Sequence, residues 1–152
     1  MEKLILDTGS KEYQINENGI LQFSPTDPGL YFRLSQLMND LESKRQEFEE
    51  LEVLQGEDDL GRARQMLKAM DEADSFIKER LAYVFGPKND FDQILGGVST
   101  LAVASNGQWV VTNLINALLP EIQAGAQEYA RAQAQAAVKE ARERRAQRGA
   151  DK

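Results

Sequence analysis

The first 23 residues alternate between short apolar runs and turn-forming residues. The runs cover residues 4–6, 12–15 and 20–23, and they are separated by Asp7-Thr8-Gly9-Ser10 and Asn16-Glu17-Asn18-Gly19. Glycine reaches the positive φ angles of tight turns, and Asp, Asn and Ser side chains bond to nearby backbone groups. The pattern therefore predicts a small antiparallel β-meander of three strands.

A long amphipathic helix is predicted after the meander. Asp27 is placed as its N-cap, and Pro28 suits the first helical position because its missing N–H is not needed there. Apolar residues then recur at heptad positions as far as about Gln55. They are Leu34, Leu37, Leu41, Phe48 and Leu51, with Lys44 as the one polar exception.

A second heptad series follows the short connection Gly56-Glu57-Asp58-Asp59. Its members are Leu60, Ala63, Leu67, Met70, Ile77, Leu81 and Val84, with Asp74 as the polar exception. Two amphipathic helices joined by about four residues are expected to fold back as an antiparallel hairpin, which Gly86-Pro87 ends. Each fully buried large apolar side chain contributes roughly 1.5–3 kcal/mol, so the two apolar seams outweigh the two polar positions.

The segment after the hairpin contains weaker signals. Asn89 and Asp90 are candidate caps for a short helix, and Gln93 completes a capping-box pattern with Asp90. Residues 96–100 mix glycine with β-branched residues and favour no particular secondary structure. Asn106-Gly107 predicts another turn.

The C-terminal part of the chain predicts a long helix. Its apolar positions are Val111, Ile115, Leu118 and Ile122. Pro120 is expected either to kink this helix or to begin a new one, since an interior proline costs ~3 kcal/mol. Residues 124–148 are rich in Ala, Gln, Glu and Arg, which favour helix but leave little to bury, so this part is expected to project.

Together these elements predict an α+β fold. An N-terminal antiparallel β-meander is expected to pack on a helical hairpin, followed by a long C-terminal helix. Residues 1–122 would form the body and residues 123–152 a projecting helical tail.

The composition removes most catalytic chemistry. The chain of 152 residues has no histidine and no cysteine, which excludes Ser-His and Cys-His catalysis, disulfides and most zinc sites. It also lacks a Gly-rich phosphate loop. We therefore expect a protein that is not an enzyme and that uses no metal and no cofactor.

The charge distribution narrows the range of partners. A net charge of -7 argues against nucleic-acid binding, which needs a basic surface. From Lys139 onward six basic residues accompany three acidic ones, but no aromatic residue follows Tyr129 to stack on bases, so a solvated helix end is favoured. No run approaches the ~20 apolar residues of a membrane span, and no signal peptide is evident. A cytoplasmic location without a membrane partner is expected.

One motif points to an enzyme. Residues 4–10 resemble the apolar strand and Asp-Thr-Gly signature of aspartic proteases, in which two such aspartates activate a water molecule. Two predicted helices follow the motif here, where that family has a β-rich lobe. A hairpin turn in which Asp7 bonds to its own backbone is the favoured interpretation. The alternative, a protease homodimer, depends on Asp7.

Several separated strings resemble the tail assembly chaperones of long-tailed phages and prophages of Gram-positive bacteria. The likeness extends over most of the chain. The strings are Lys11-Glu12-Tyr13-Gln14-Ile15, Phe23-Ser24-Pro25-Thr26-Asp27-Pro28 with Tyr31 and Arg33, Val84-Phe85-Gly86, Asn89-Asp90-Phe91-Asp92, Gly97-Val98, Ala102-Val103-Ala104, Asn106-Gly107, Leu118-Leu119-Pro120 and Gly125-Ala126.

This resemblance implies a non-catalytic role. Such chaperones coat the long, largely helical tape measure protein before the tail tube polymerises around it, and they leave before the virion is finished. The implied partners are a tape measure protein and tail tube subunits, met in the cytoplasm of the bacterial host. A self-associating phage scaffold or connector component is the alternative.

The apolar heptad faces could pack against a partner, in the protein's own core or in a homodimer interface, and periodicity does not distinguish these possibilities. Large apolar residues near helix starts are the candidate partner contacts. They are Tyr31, Leu34, Leu37, Trp109 and Val110.

Overall fold

The computed structural model of the chain describes residues 1–53 and 59–150. Its elements in chain order are β1 (Lys11–Ile15), β2 (Gly19–Phe23), α1 (Pro28–Val53), α2 (Asp59–Phe85), α3 (Phe91–Ile94) and α4 (Val110–Ala150). The predicted α+β fold, with a helical hairpin and a long C-terminal helix, is confirmed. The expected end of α1 at Gln55 and the connection at residues 56–58 lie outside the described residues.

The N-terminal sheet has two strands, so the predicted first strand at residues 4–6 is wrong. β1 and β2 pair antiparallel, from Lys11 opposite Phe23 to Ile15 opposite Gly19. The Asp7 side chain does bond to the nearby backbone, since the Gly9 N–H donates to Asp7 Oδ1 at 2.9 Å, but this bond closes no hairpin. Gly9, at φ +72°, lies so close to Thr26 that a Cβ there would stand 3.0 Å from Thr26 Oγ1. The chain before β1 therefore runs beside the residues that follow β2.

The sheet packs on the end of the helical hairpin through aromatic rings. Phe23 stacks on Tyr13 with ring centroids 5.0 Å apart, and its edge meets Phe85 at 5.1 Å. Phe91 at the start of α3 continues the cluster, 6.1 Å from Phe85. Leu21 is fully buried beside them. Alternation along β2 thus directs its apolar side chains into the core.

Asn89 joins the sheet to the end of α2. Its side-chain amide accepts from the Gln22 N–H at 2.8 Å and donates to the Gln22 carbonyl at 2.9 Å. The same Nδ2 donates to the Phe85 carbonyl at 3.0 Å, where Gly86 ends the helix. The predicted capping of α3 belongs to Asp90 alone, which accepts from the N–H groups of Asp92 and Gln93. Asn89 instead bonds to the backbone of β2 in the way that a neighbouring strand would.

The base of the helical hairpin forms the centre of the core. The Asp27 cap is confirmed, since Asp27 Oδ1 accepts from the Gly29 N–H at 2.9 Å. The predicted polar exception Lys44 lies 5.2 Å over the ring of Phe76 and pairs with Glu47. The buried residues of the base come from both hairpin helices and from α4. They are Leu30, Leu34, Leu37, Ile77, Leu81, Val84, Val111, Leu114, Ile115 and Leu118.

The long helix α4 crosses the body in its first half and leaves it in its second. It continues through Pro120, so no new helix begins there. Pro120 and Asn116 are exposed, which leaves the freed carbonyl of Asn116 open to water. Gly125 passes so close to Pro25 that a Cβ there would stand 2.1 Å from the Pro25 carbonyl oxygen. Every residue from 127 to 149 is exposed.

Candidate protein-binding surface

Three of the five predicted partner contacts lie on α1, and two of these are core residues. Leu34 and Leu37 are buried between the helices, so a partner could not reach them without opening the fold. Tyr31 is half-buried, and its hydroxyl donates to the Pro25 carbonyl at 2.6 Å. Burial, and then the negative charge of Asp27, raise the pKa of the Tyr31 phenol. Tyr31 therefore ties the first turn of α1 to the segment that precedes it.

The other two predicted contacts lie where α4 begins, and they are separate from the first three. Trp109 is half-buried, with its ring edge-on to Phe48 at 6.1 Å and the Arg45 guanidinium 5.4 Å from its centroid. Val110 is also half-buried and lines a groove between β1, α3 and α4. The structure does not bring the five residues together into one exposed patch.

A different apolar surface is open at the far end of the helical hairpin. Leu60 is 72% exposed and Leu67 is 67% exposed, and Ala63 between them is also exposed. We call these three residues the distal stripe. They continue the heptad series whose later members, Ile77 and Leu81, are fully buried. One apolar series thus supplies core at its C-terminal end and open surface at its N-terminal end.

Met70, three residues after Leu67, is already half-buried against the core, and polar contacts to this helix face begin at Asp74. Asp74 Oδ1 accepts from the N–H and the hydroxyl of Thr100, at 2.7 and 2.6 Å. Lys78, one turn further on, pairs with Asp74 at 3.0 Å and with Asp92 at 2.7 Å. Residues 92–100 therefore cover this face of α2 from Asp74 onward. Toward Leu60 the face is left open.

This ionic cluster holds α3 and the following loop against α2. Burial alone would raise the pKa of Asp74, but its bonds to Thr100 and Lys78 outweigh burial and hold that pKa below its ordinary value. Burial likewise lowers the pKa of Lys78, but its bonds to Asp92 and Asp74 raise it overall. Both groups are therefore charged at neutral pH, and their role is to fasten the loop.

The distal stripe was not distinguished by sequence reasoning, which placed its leucines in the hairpin seam. A heptad pattern shows that residues share a helix face, but it does not show which part of that face packs against other elements and which part is exposed. Asp74 was a usable signal, because a carboxylate in a heptad series marks a change in what covers the helix. Arg64 and Lys68 beside the stripe are exposed, as expected of an open face.

Three other features of the described residues concern metal binding, the membrane and the protease motif. Within residues 1–53 and 59–150, no group of three or more acidic side chains is placed to hold a metal ion. Across the same ranges, no helix combines the length and apolar character needed to cross a bilayer. Asp7, the candidate protease aspartate, accepts the Gly9 N–H in an exposed turn. No family model, curated protein or solved structure matches the chain.

Proposed function

We propose that this protein is a phage tail assembly chaperone that binds and solubilises the tape measure protein and helps to recruit tail tube subunits. The role is non-catalytic and is carried out in the cytoplasm of the bacterial host, and the protein is absent from the mature virion. The proposal starts from the resemblance of the separated strings between residues 11 and 126. The distal stripe supports the proposal because it is an exposed apolar helix surface.

The single observation that supports binding most strongly is the exposure of Leu60 and Leu67 on a helix whose next apolar positions are core. Apolar residues at heptad spacing on an unpaired helix face match the apolar stripe of another amphipathic helix. The resemblance implies that the partner, a tape measure protein, is long and largely helical and therefore carries such stripes. Covering those stripes would keep it soluble.

Contact at the distal stripe would also be readily reversible. Burying one leucine contributes roughly 1.5–3 kcal/mol, and part of that is lost in ordering the partner. Two leucines on each chaperone therefore give a weak contact, from which each copy dissociates readily. Polymerisation of the tube could then displace the copies one at a time.

The test is co-expression with a long helical protein, which the proposal expects to be encoded beside this chain. The proposal predicts that the helical protein, insoluble alone, becomes soluble and co-purifies. Leu60→Lys with Leu67→Lys should abolish both effects while leaving the chaperone folded, because neither side chain is buried. Gln65→Lys is the matched control, since it adds a positive charge at an exposed position of the same helix.

Two results would count against the chaperone role. If the leucine variant solubilises the helical partner as well as the control does, the distal stripe is not the binding surface. If the partner stays insoluble and this chain forms large regular assemblies by itself, the scaffold or connector function replaces the chaperone function.

A further inference from the structure

The segment before β1 is the most exposed apolar part of the described chain. Leu4 and Ile5 are each 91% exposed and Leu6 is 81% exposed. Residues 2–6 form no strand, although Leu and Ile at adjacent positions are typical of a strand buried on both faces. We call residues 2–6 the arm. The arm has the composition of a strand but is not part of the sheet.

The sheet, for its part, has one closed edge and one open edge. The outward backbone groups of Gln22 on β2 are paired by Asn89. Antiparallel strands alternate their bonding direction, so Glu12 and Gln14 direct their N–H and carbonyl groups away from β2. Among the described residues, no hydrogen bond satisfies these outward groups. An unpaired edge of this kind is a template for another strand.

The arm and β1 are complementary when they are aligned in parallel. In this register Glu2 faces Lys11 and Lys3 faces Glu12, so both charged pairs have opposite signs. Leu4 then faces Tyr13, and Leu6 faces Ile15, on the half-buried side of β1.

The alignment also places Leu6 beside a groove that both apolar and polar residues line. The groove has a volume of about 400 Å³ beside the end of β1. Ile15, Ile94 and Leu114 contribute to its lining. A leucine side chain arriving beside Ile15 would be covered there.

The parallel direction determines which chain supplies the arm. Parallel strands need a crossover of about a dozen or more residues. Only residues 7–10 separate the arm from β1, and Gly9 already lies against Thr26. The arm therefore cannot lie parallel to its own β1. It can reach this register only on the β1 edge of a second copy.

We propose that the arm of one copy adds as a parallel third strand to the β1 edge of a second copy, in the register that pairs Glu2 with Lys11 and Lys3 with Glu12. The interface is distinct from the distal stripe. Reciprocal exchange of arms gives a closed dimer, and one-way donation gives a chain of copies.

Disulfide trapping tests the register directly, because the chain has no cysteine of its own. Equimolar Lys3→Cys and Glu12→Cys chains are mixed and oxidised. The proposal predicts a mixed disulfide in large excess over either homodimer, since facing strand residues lie within the Cα separation of about 4.4–6.8 Å that a disulfide spans. Gln14→Cys replaces Glu12→Cys in the control, as it lies roughly 7 Å further along the same edge. Preferential trapping through Gln14→Cys would overturn the parallel register.

Sedimentation of the full chain tests the association itself. The wild type should associate with rising concentration, and removal of residues 2–6 should leave a folded monomer. Glu2→Lys alone should weaken association about two- to five-fold, and Glu2→Lys combined with Lys11→Glu should restore it. A wild type that is monomeric throughout, or association that survives removal of the arm, would overturn the proposal.

Discussion

The contact between Gly125 and Pro25 allows a sharp prediction about α4. A Cβ at Gly125 would stand 2.1 Å from the Pro25 carbonyl oxygen and 2.5 Å from the carbonyl carbon. Both atoms are backbone, and Pro25 is fully buried, so no side chain can rotate to make room. Ordinary contact requires a separation of about 3.5 Å, so α4 and the segment before α1 would have to move apart by roughly 1 Å.

Gly125→Ala should therefore destabilise the protein although alanine favours helix. Overpacking costs about 1–3 kcal/mol, and backbone neighbours place this site at the upper end. The intrinsic gain of about 1 kcal/mol for Gly→Ala offsets part of that cost. We expect a net loss of about 1–2 kcal/mol in urea unfolding, and a fall of about 2–8 °C in the melting temperature.

Gly149→Ala is the matched control, because nothing lies within 4 Å of a Cβ at Gly149. It should leave global stability unchanged. The close approach also predicts coupling, since the Tyr31 hydroxyl bonds to the same Pro25 carbonyl. Tyr31→Phe should cost less in the Gly125→Ala background than in the wild type. A Gly125→Ala protein as stable as the wild type would refute the close crossing.

Three further predictions test the fastening of the fold. Asp74→Asn should lower stability by about 1.5–3 kcal/mol at pH 7. Because the pKa of Asp74 is lowered by folding, its contribution is present above the unfolded pKa near ~3.9 and is lost as pH falls further. In urea unfolding, the difference in unfolding free energy between Asp74→Asn and the wild type should thus be constant from pH 7 to 5 and should disappear below about pH 4. A difference that persists below pH 4 would contradict the ionic role of Asp74. Asn89→Ala should cost at least about 2 kcal/mol in the same assay, since it leaves both outward groups of Gln22 without a partner, and a loss below 0.5 kcal/mol would be too small for such a bridge. Leu81→Ala should cost about 2–5 kcal/mol, whereas Leu67→Ala, at an exposed position, should cost less than about 1; equal losses would mean that the distal stripe is covered.

Local signals in the sequence were sufficient for the long helices and for two of their ends. Asp27-Pro28 and Gly86-Pro87 determine where α1 begins and α2 ends, because capping and the missing proline N–H act within a few residues. The hairpin turn before Gly19 follows for the same reason. These features depend on their own residues more than on the rest of the fold.

The features that were missed depend on contacts distant in sequence. Residues 4–6 have strand-like composition, but a strand needs an edge to pair with, and Gly9 is held beside Thr26. Asn89 looked like a helix cap because its bonds to Gln22, 67 positions away, leave no trace in the local pattern. The covering of the C-terminal end of the apolar series on α2 likewise depends on Thr100, which is remote from Asp74 in sequence.

Hydrogen exchange of α2, free and in complex with the helical partner, tests whether the distal stripe binds a partner's apolar helix face. Amides of residues 60–70 should gain protection in the complex, while amides of residues 77–85, already protected by the core, should not change. Unchanged exchange at residues 60–70 in a complex that does form would contradict binding at the distal stripe.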